Sequence, residues 1–165
     1  TTTTAPTTTE TTTITTLGTY PQLNPGLDTV EIYTEWIDAG AILYDGDTQY
    51  EMETSDSIDI TTLGLQTIIY SYTLDKTYTI IRNVMVVDLT PPEITLNPSV
   101  DTVYINQEWI DAGVELTDNS LGDINLEVSG SVDTTTPGTY MITYTATDES
   151  GNSSSLARYV TVIEE

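Results

Sequence analysis

The feature that most constrains this chain is an internal repeat. Leu23-Asn-Pro-Gly-Leu-Asp-Thr-Val-Glu-Ile-Tyr-Thr-Glu-Trp-Ile-Asp-Ala-Gly40 returns as Leu96-Asn-Pro-Ser-Val-Asp-Thr-Val-Tyr-Ile-Asn-Gln-Glu-Trp-Ile-Asp-Ala-Gly113 at a constant offset of 73 residues. Further on, Thr61-Thr62-Leu63-Gly64 aligns with Thr135-Thr136-Pro137-Gly138 at an offset of 74, and Arg82 aligns with Arg158 at 76. The drift places small insertions in the second copy, one before Gly138 and one in the Asp148–Asn152 turn. Whatever one copy folds into, the other must closely approximate. The chain therefore divides into an arm, 1–16, and two tandem domains, 17–88 and 89–165. Asp88-Leu89-Thr90-Pro91-Pro92 is a short, stiff connector, because proline holds the residue before it extended.

The period inside each copy is that of strands. After the Pro137-Gly138 turn, Tyr140, Ile142, Tyr144 and Ala146 alternate with Met141, Thr143, Thr145 and Thr147. That period of two, in β-branched and aromatic residues, predicts a half-buried strand. Gly138-x-Tyr140-x-Ile142 also has the form of a tyrosine corner. In the second copy strands are expected near 93–97, 101–106, 112–117, 124–128, 131–134, 139–147 and 156–163, and the first copy should repeat them. Short strands at this spacing predict an all-β fold: two tandem immunoglobulin-like β-sandwiches preceded by an extended Thr-rich N-terminal arm.

The composition removes several classes of function. The chain has no Cys and no His, so there is no disulfide framework and no Ser-His or Cys-His catalysis. The acids are scattered over strands and turns, and small sandwiches leave no large pocket, so no enzyme is expected. Formal net charge is −23, with 26 acidic against 3 basic residues. That charge repels a phosphate backbone, so no nucleic-acid partner is expected, nor electrostatic docking to anionic lipid. No apolar run is long enough for a membrane span. The chain starts at Thr1 without an initiator Met or a signal peptide, which reads as a mature secreted product or a fragment.

The second copy resembles a bacterial immunoglobulin-like domain family, found in tandem on bacterial surface proteins and in a pesticidal crystal protein, and is similar to hyalin-repeat domains. The resemblance rests on Asp88-x-Thr90-Pro91-Pro92-x-Ile94-x-Leu96, Trp109-x-Asp111-Ala112-Gly113, Val132-Asp133-Thr134-x-x-Pro137-Gly138-x-Tyr140, Tyr144-x-Ala146-x-Asp148-x-x-Gly151-Asn152 and Arg158-x-Val160-x-Val162. It covers nearly all of the second copy. The first departs from it: Tyr20-Pro21 replaces Thr-Pro-Pro, Leu74-Asp75-Lys76 replaces the Asp-x-x-Gly-Asn turn, and Gln66 replaces Tyr140. The resemblance implies an extracellular, non-enzymatic module of stalks, spacers or adhesive arrays. It implies no ligand.

Candidate residues fall into three groups. In the arm, twelve of sixteen residues are Thr. Composition alone reads as a flexible or O-glycosylated linker, but Thr also favours strands. Sixteen extended residues reach roughly 50 Å, further than the ~30 Å diameter of a 70-residue domain. An arm presenting Thr1, Thr4, Thr8 and Thr12, with Ala5, Ile14 and the adjoining Leu17 as anchors, could add as a strand to another copy of the chain. A head-to-tail homopolymer would result. The competing readings are a stalk, spacer or adhesin fragment, and a carbohydrate-binding module using Tyr33, Tyr44, Tyr50, Tyr72, Tyr78, Tyr104 and Tyr159.

The second group is structural: Trp36 and Trp109 as core or inter-domain anchors rather than sugar platforms, Tyr70, Tyr140 and Tyr144 as strand aromatics, and Arg82 and Arg158 as internal pairs for carboxylates or carbonyls. The third is acidic. No cofactor is required, but calcium could be held by loop carboxylates at Asp88, Asp118, Asp123 and Asp148, because it takes six to eight oxygens. No twelve-residue calcium loop with a closing Glu is present, and Asp, Asn and Gly also dominate plain turns. Asn152-Ser153-Ser154 has the form of a glycosylation sequon but reads more readily as a turn.

Overall fold

The computed structural model describes residues 18–164. Among the described residues the fold is all-β: twelve strands and no helix. The first repeat contributes β1 (Tyr20–Leu23), β2 (Thr29–Glu31), β3 (Ala41–Asp45), β4 (Thr48–Glu51), β5 (Gly64–Thr73) and β6 (Thr77–Val87). The second contributes β7 (Glu93–Leu96), β8 (Thr102–Tyr104), β9 (Val114–Thr117), β10 (Asn125–Ser129), β11 (Gly138–Thr147) and β12 (Ser153–Ile163). Their sheets are ordered β1-β3-β4, β2-β6-β5, β7-β9 and β10-β11-β12-β8. β2 on β6 and β8 on β12 are parallel pairs. This architecture is consistent with immunoglobulin-like sandwiches. The arm, residues 1–16 with Thr1, Thr4, Ala5, Thr8, Thr12 and Ile14, and the adjoining Leu17, lie outside the described residues.

The chain gathers into two compact units. One holds the described residues up to Asp28 together with Ile37–Ile58 and Gln66–Val84. Its core is Ala41, Leu43, Met52, Ile68, Tyr70 and Val84. The other holds Thr29–Trp36, Asp59–Leu65 and the chain from Met85 onward. Its core is Val30, Ile32, Val86, Val103, Ile142, Tyr144, Ala146, Val160 and Val162.

Alternation sets the long strands. In β11 Ile142, Tyr144 and Ala146 are buried, Thr143 and Thr145 between them are half-buried, and Met141 before them is exposed. In β12 Arg158, Val160 and Val162 are buried and Tyr159 points out. The Tyr140 hydroxyl donates to the Thr136 carbonyl at 2.7 Å, the back-bond of a tyrosine corner.

Three expectations differ from the structure. Residues 131–134 form no strand. The Asp133 carboxylate accepts the Thr135 N–H at 2.9 Å and its hydroxyl at 2.6 Å, an Asx turn that withdraws the segment from a ladder. β12 begins at Ser153 rather than 156, because hydroxyl pairs Thr147–Ser153 (2.8 Å) and Thr145–Ser155 (3.1 Å) carry the hairpin to its turn. Thirdly, the repeats are not wired alike. β4 pairs with β3, whereas β10 pairs with β11 from Asn125↔Thr147 to Ser129↔Thr143.

Candidate functional site

The repeated sequence block builds the same buried polar knot twice. In the second repeat Gly113 takes a φ of +70°, a conformation glycine adopts without strain. Its N–H is held by the Asp111 carboxylate at 2.9 Å, and the Asn97 amide donates to the Ala112 carbonyl at 2.9 Å. Arg158, 2% exposed, then closes the knot. It donates to Asp101 (two contacts of 3.1 Å), to the Asn97 carbonyl at 2.8 Å, to the Gly113 carbonyl at 3.0 Å and to the Tyr144 hydroxyl at 3.2 Å. Tyr144 in turn donates to Asp111 at 2.5 Å.

The first repeat has the matching set. Arg82, 1% exposed, donates to Asp28 at 2.6 Å, to the Asn24 carbonyl at 2.5 Å and to the Gly40 carbonyl at 3.2 Å. Tyr70 donates to Asp38. Burial, and then the Asp38 carboxylate, push the Tyr70 hydroxyl up to about 12, against the opposing Arg82 charge. Burial and Asp111 raise Tyr144 in the same way, with Arg158 opposing. Both guanidinium groups are buried and turned onto their own unit's backbone and carboxylates, with only the Arg82 Nε left without a partner. The partners Asp28, Asp38, Asp101 and Asp111 escaped sequence reasoning. Their signal was present: each lies inside the Leu23–Gly40 and Leu96–Gly113 match.

The other candidates are dispersed. Trp36 and Trp109 are half-buried, and the Trp109 indole N–H has no acceptor. Tyr20 stacks on Tyr44 with centroids 5.3 Å apart, and Tyr50 lies 5.0 Å from Tyr72. Tyr33, Tyr104 and Tyr159 are exposed, and Tyr78 is half-buried under Lys76.

The acidic loops converge. Carboxylate oxygens of Asp88, Asp118 and Asp148 lie within 4.8 Å of one another. Asp123 is exposed and stands outside this group. Asp88 follows β6, Asp118 follows β9, and Asp148 opens the β11–β12 turn. Local turns hold each in place. Asp88 accepts the Thr90 N–H at 3.2 Å. Asp118 accepts the Ser120 N–H at 2.8 Å and its hydroxyl at 2.7 Å. Asp148 accepts the Asn152 N–H and side-chain amide, both at 2.8 Å. Asn152 also donates to the Asp88 carbonyl at 3.1 Å, tying two of the three together. Burial pushes the Asp148 carboxyl up. The Asn152 side chain and the N–H groups of Asn152, Gly151 and Ser150 outweigh it and hold the group below the usual range. Three carboxylates in this geometry offer oxygen ligands to a hard cation and no nucleophile–base pair.

One sheet edge also stands out. In the second repeat β10 lies along β11. In the first, the equivalent stretch touches β5 through one bridge, Glu53↔Ser71, with N–H···O bonds of 3.0 and 2.8 Å. The next outward N–H, of Ile69, is taken by the Asp56 carboxylate at 2.9 Å. Glu53, Thr54, Ser55, Asp56, Ile69 and Ser71 line a groove of about 450 Å³ along that edge. Ile69 and Ile81 are 47% and 53% exposed, where the second repeat has Thr143 and Ala157.

Residues 94–162 match the family model described as bacterial surface protein, Ig-like domain. No curated protein matches the chain. That family is typically non-enzymatic, and it suggests a surface or extracellular location. Among the described residues no helix is long and apolar enough to cross a membrane.

Proposed function

We propose that this chain, whose residues 94–162 match the bacterial surface protein Ig-like family model, is a structural subunit of an extracellular filament or surface array. In this reading the arm of one copy, residues 1–16, adds as a strand to β5 of a neighbouring copy. The observation that carries it is the difference between β5 and β11. The strand that makes a five-residue ladder on β11 is reduced on β5 to a single bridge. An incoming strand would take the position on β5 that β10 occupies on β11. Backbone hydrogen bonds would supply the affinity, and Ile14 or Leu17 would pack against Ile69 and Ile81. Exposed edges are where sheets recruit further strands. Arm-to-edge contact is heterologous and does not close, so it propagates. The chain works here as a non-catalytic building block.

Deleting residues 1–16 tests this. The full chain should form filaments visible by electron microscopy. The shortened chain should stay monomeric by light scattering, with both repeats folded. A full chain that never polymerises, or a shortened chain that still does, contradicts the proposal. The family match favours a second reading, a stalk or adhesin spacer of a cell-surface protein, in which both forms remain monomeric.

A further inference from the structure

We propose that Asp88, Asp118 and Asp148 form a calcium site. Proximity of acids would not carry this alone. The second observation is how the carboxylates are left. Asp88 is 5% exposed, yet its Oδ2 is buried with no hydrogen-bond partner, and Asp118 Oδ2 is likewise buried and unpartnered. A buried charged oxygen without a partner is costly and rare. Both residues that carry such an oxygen belong to one three-carboxylate group.

No side chain of the protein answers this charge. The chain has only three cationic side chains. Arg82 is bonded to Asp28, Arg158 to Asp101, and Lys76 lies 5.0 Å from the Tyr78 ring centroid. Glu31, which belongs to the same compact unit, is committed elsewhere. Its carboxylate accepts the Leu89 N–H, the Thr90 hydroxyl and the Asn119 amide at 2.8–3.2 Å. Those bonds hold the residues that follow Asp88 and Asp118, and so fix the cradle without filling it.

The dimensions select the ion. Calcium binds oxygens at 2.3–2.6 Å, so two ligands on opposite sides of one ion are at most about 5 Å apart. The 4.8 Å limit of this group fits that span. Magnesium, with bonds of about 2.1 Å, needs a tighter octahedron and usually takes only one or two carboxylates. Asp88 Oδ2 and Asp118 Oδ2 would be direct ligands, with one Asp148 oxygen as the third and water completing the shell. Asn152 would position Asp148 rather than bind the ion.

The test uses the full chain after chelator treatment and dialysis. Calorimetric titration with calcium chloride should show one ion per chain, with a dissociation constant on the order of 10⁻⁴ M or tighter. Calcium should raise the melting temperature, and magnesium or sodium at matched ionic strength should not. Asp88→Asn and Asp118→Asn should abolish the calcium response. Both should also melt above the metal-free parent, because each removes one of three repelling charges. No binding at millimolar calcium, an equal shift with magnesium or sodium, or a calcium response kept in both variants would overturn the assignment. If a variant fails to fold, direct calcium titration of the parent still decides.

Discussion

The two repeats share a polar knot and differ in how one strand is spent. Around Arg82 and Arg158 the same six positions make equivalent contacts, down to an Asp that accepts both a tyrosine hydroxyl and a glycine N–H. A few residues later the copies diverge. β4 turns back on β3 through the tight Gly46 hairpin, whereas the longer 118–124 loop releases β10 to pair with β11. The knot is common to both repeats, and the sheet edge is where they differ.

Four changes would break or sharpen this comparison. The largest effect should come from the knot. Arg158→Ala leaves Asp101 and the Asn97 carbonyl without the Arg158 donor, the Gly113 carbonyl keeping only the Asn97 N–H, and should cost about 4 kcal/mol in urea unfolding. Arg82→Ala should cost about 1 kcal/mol less, because Arg82 makes fewer bonds and its Nε is already unpartnered. Equal costs would mean that the knots are energetically identical.

Gly130 is next. It follows β10 with a φ of +95°, and a Cβ there would lie 2.2 Å from the Met141 carbonyl oxygen. Gly130→Ala should cost about 3 kcal/mol. It should also deprotect the outward amides of β11 in hydrogen exchange, making the second repeat resemble the first.

The third is pH. Tyr70 titrates near 10 unfolded and about 12 folded, so the folded state holds its proton more tightly. Its contribution is complete below pH 10 and is lost as pH rises through 12, amounting to roughly 2–3 kcal/mol. Tyr70→Phe should flatten that alkaline limb in a pH series of urea melts.

The smallest effect concerns a shared turn. Tyr33 and its equivalent Asn106 both have positive φ, 60° and 63°, and donate to the equivalent carbonyls of Ile60 and Thr134. Asn adopts this conformation more readily than Tyr, which does so at a steric cost. Tyr33→Asn should stabilise by about 1 kcal/mol, and Asn106→Tyr should do the reverse.

The all-β class and the long hairpins were legible in the chain, because alternation and β-branched residues report directly on a half-buried strand. Thr139–Thr147 is the plainest case. The 131–134 segment misled, because its Val132 has a strand's composition while Asp133 spends its carboxylate on a turn. That residues 48–51 would pair with β3 while the aligned residues 121–124 form a loop could not be read at all. It depends on which neighbour a short segment reaches, and local pattern does not encode that. The acidic group was visible only as separate loops, since its members are 30 residues apart along the chain and meet through Asn152 and the Asp88 carbonyl. The open side of β5 likewise appears only beside β11, as an absence in one repeat of what the other has.

The most direct test of the central claim sets the two edges against each other. Proline removes one outward N–H from an edge strand without disturbing its inner ladder. By the alternation set at Ser71, Thr67 faces outward on β5, and Met141 is its equivalent on β11. Electron microscopy of Thr67→Pro and Met141→Pro chains, each first shown to be folded, should find filaments only in the second. Filaments of parental length from Thr67→Pro, or their equal loss in both variants, would contradict the assignment of β5 as the receiving edge.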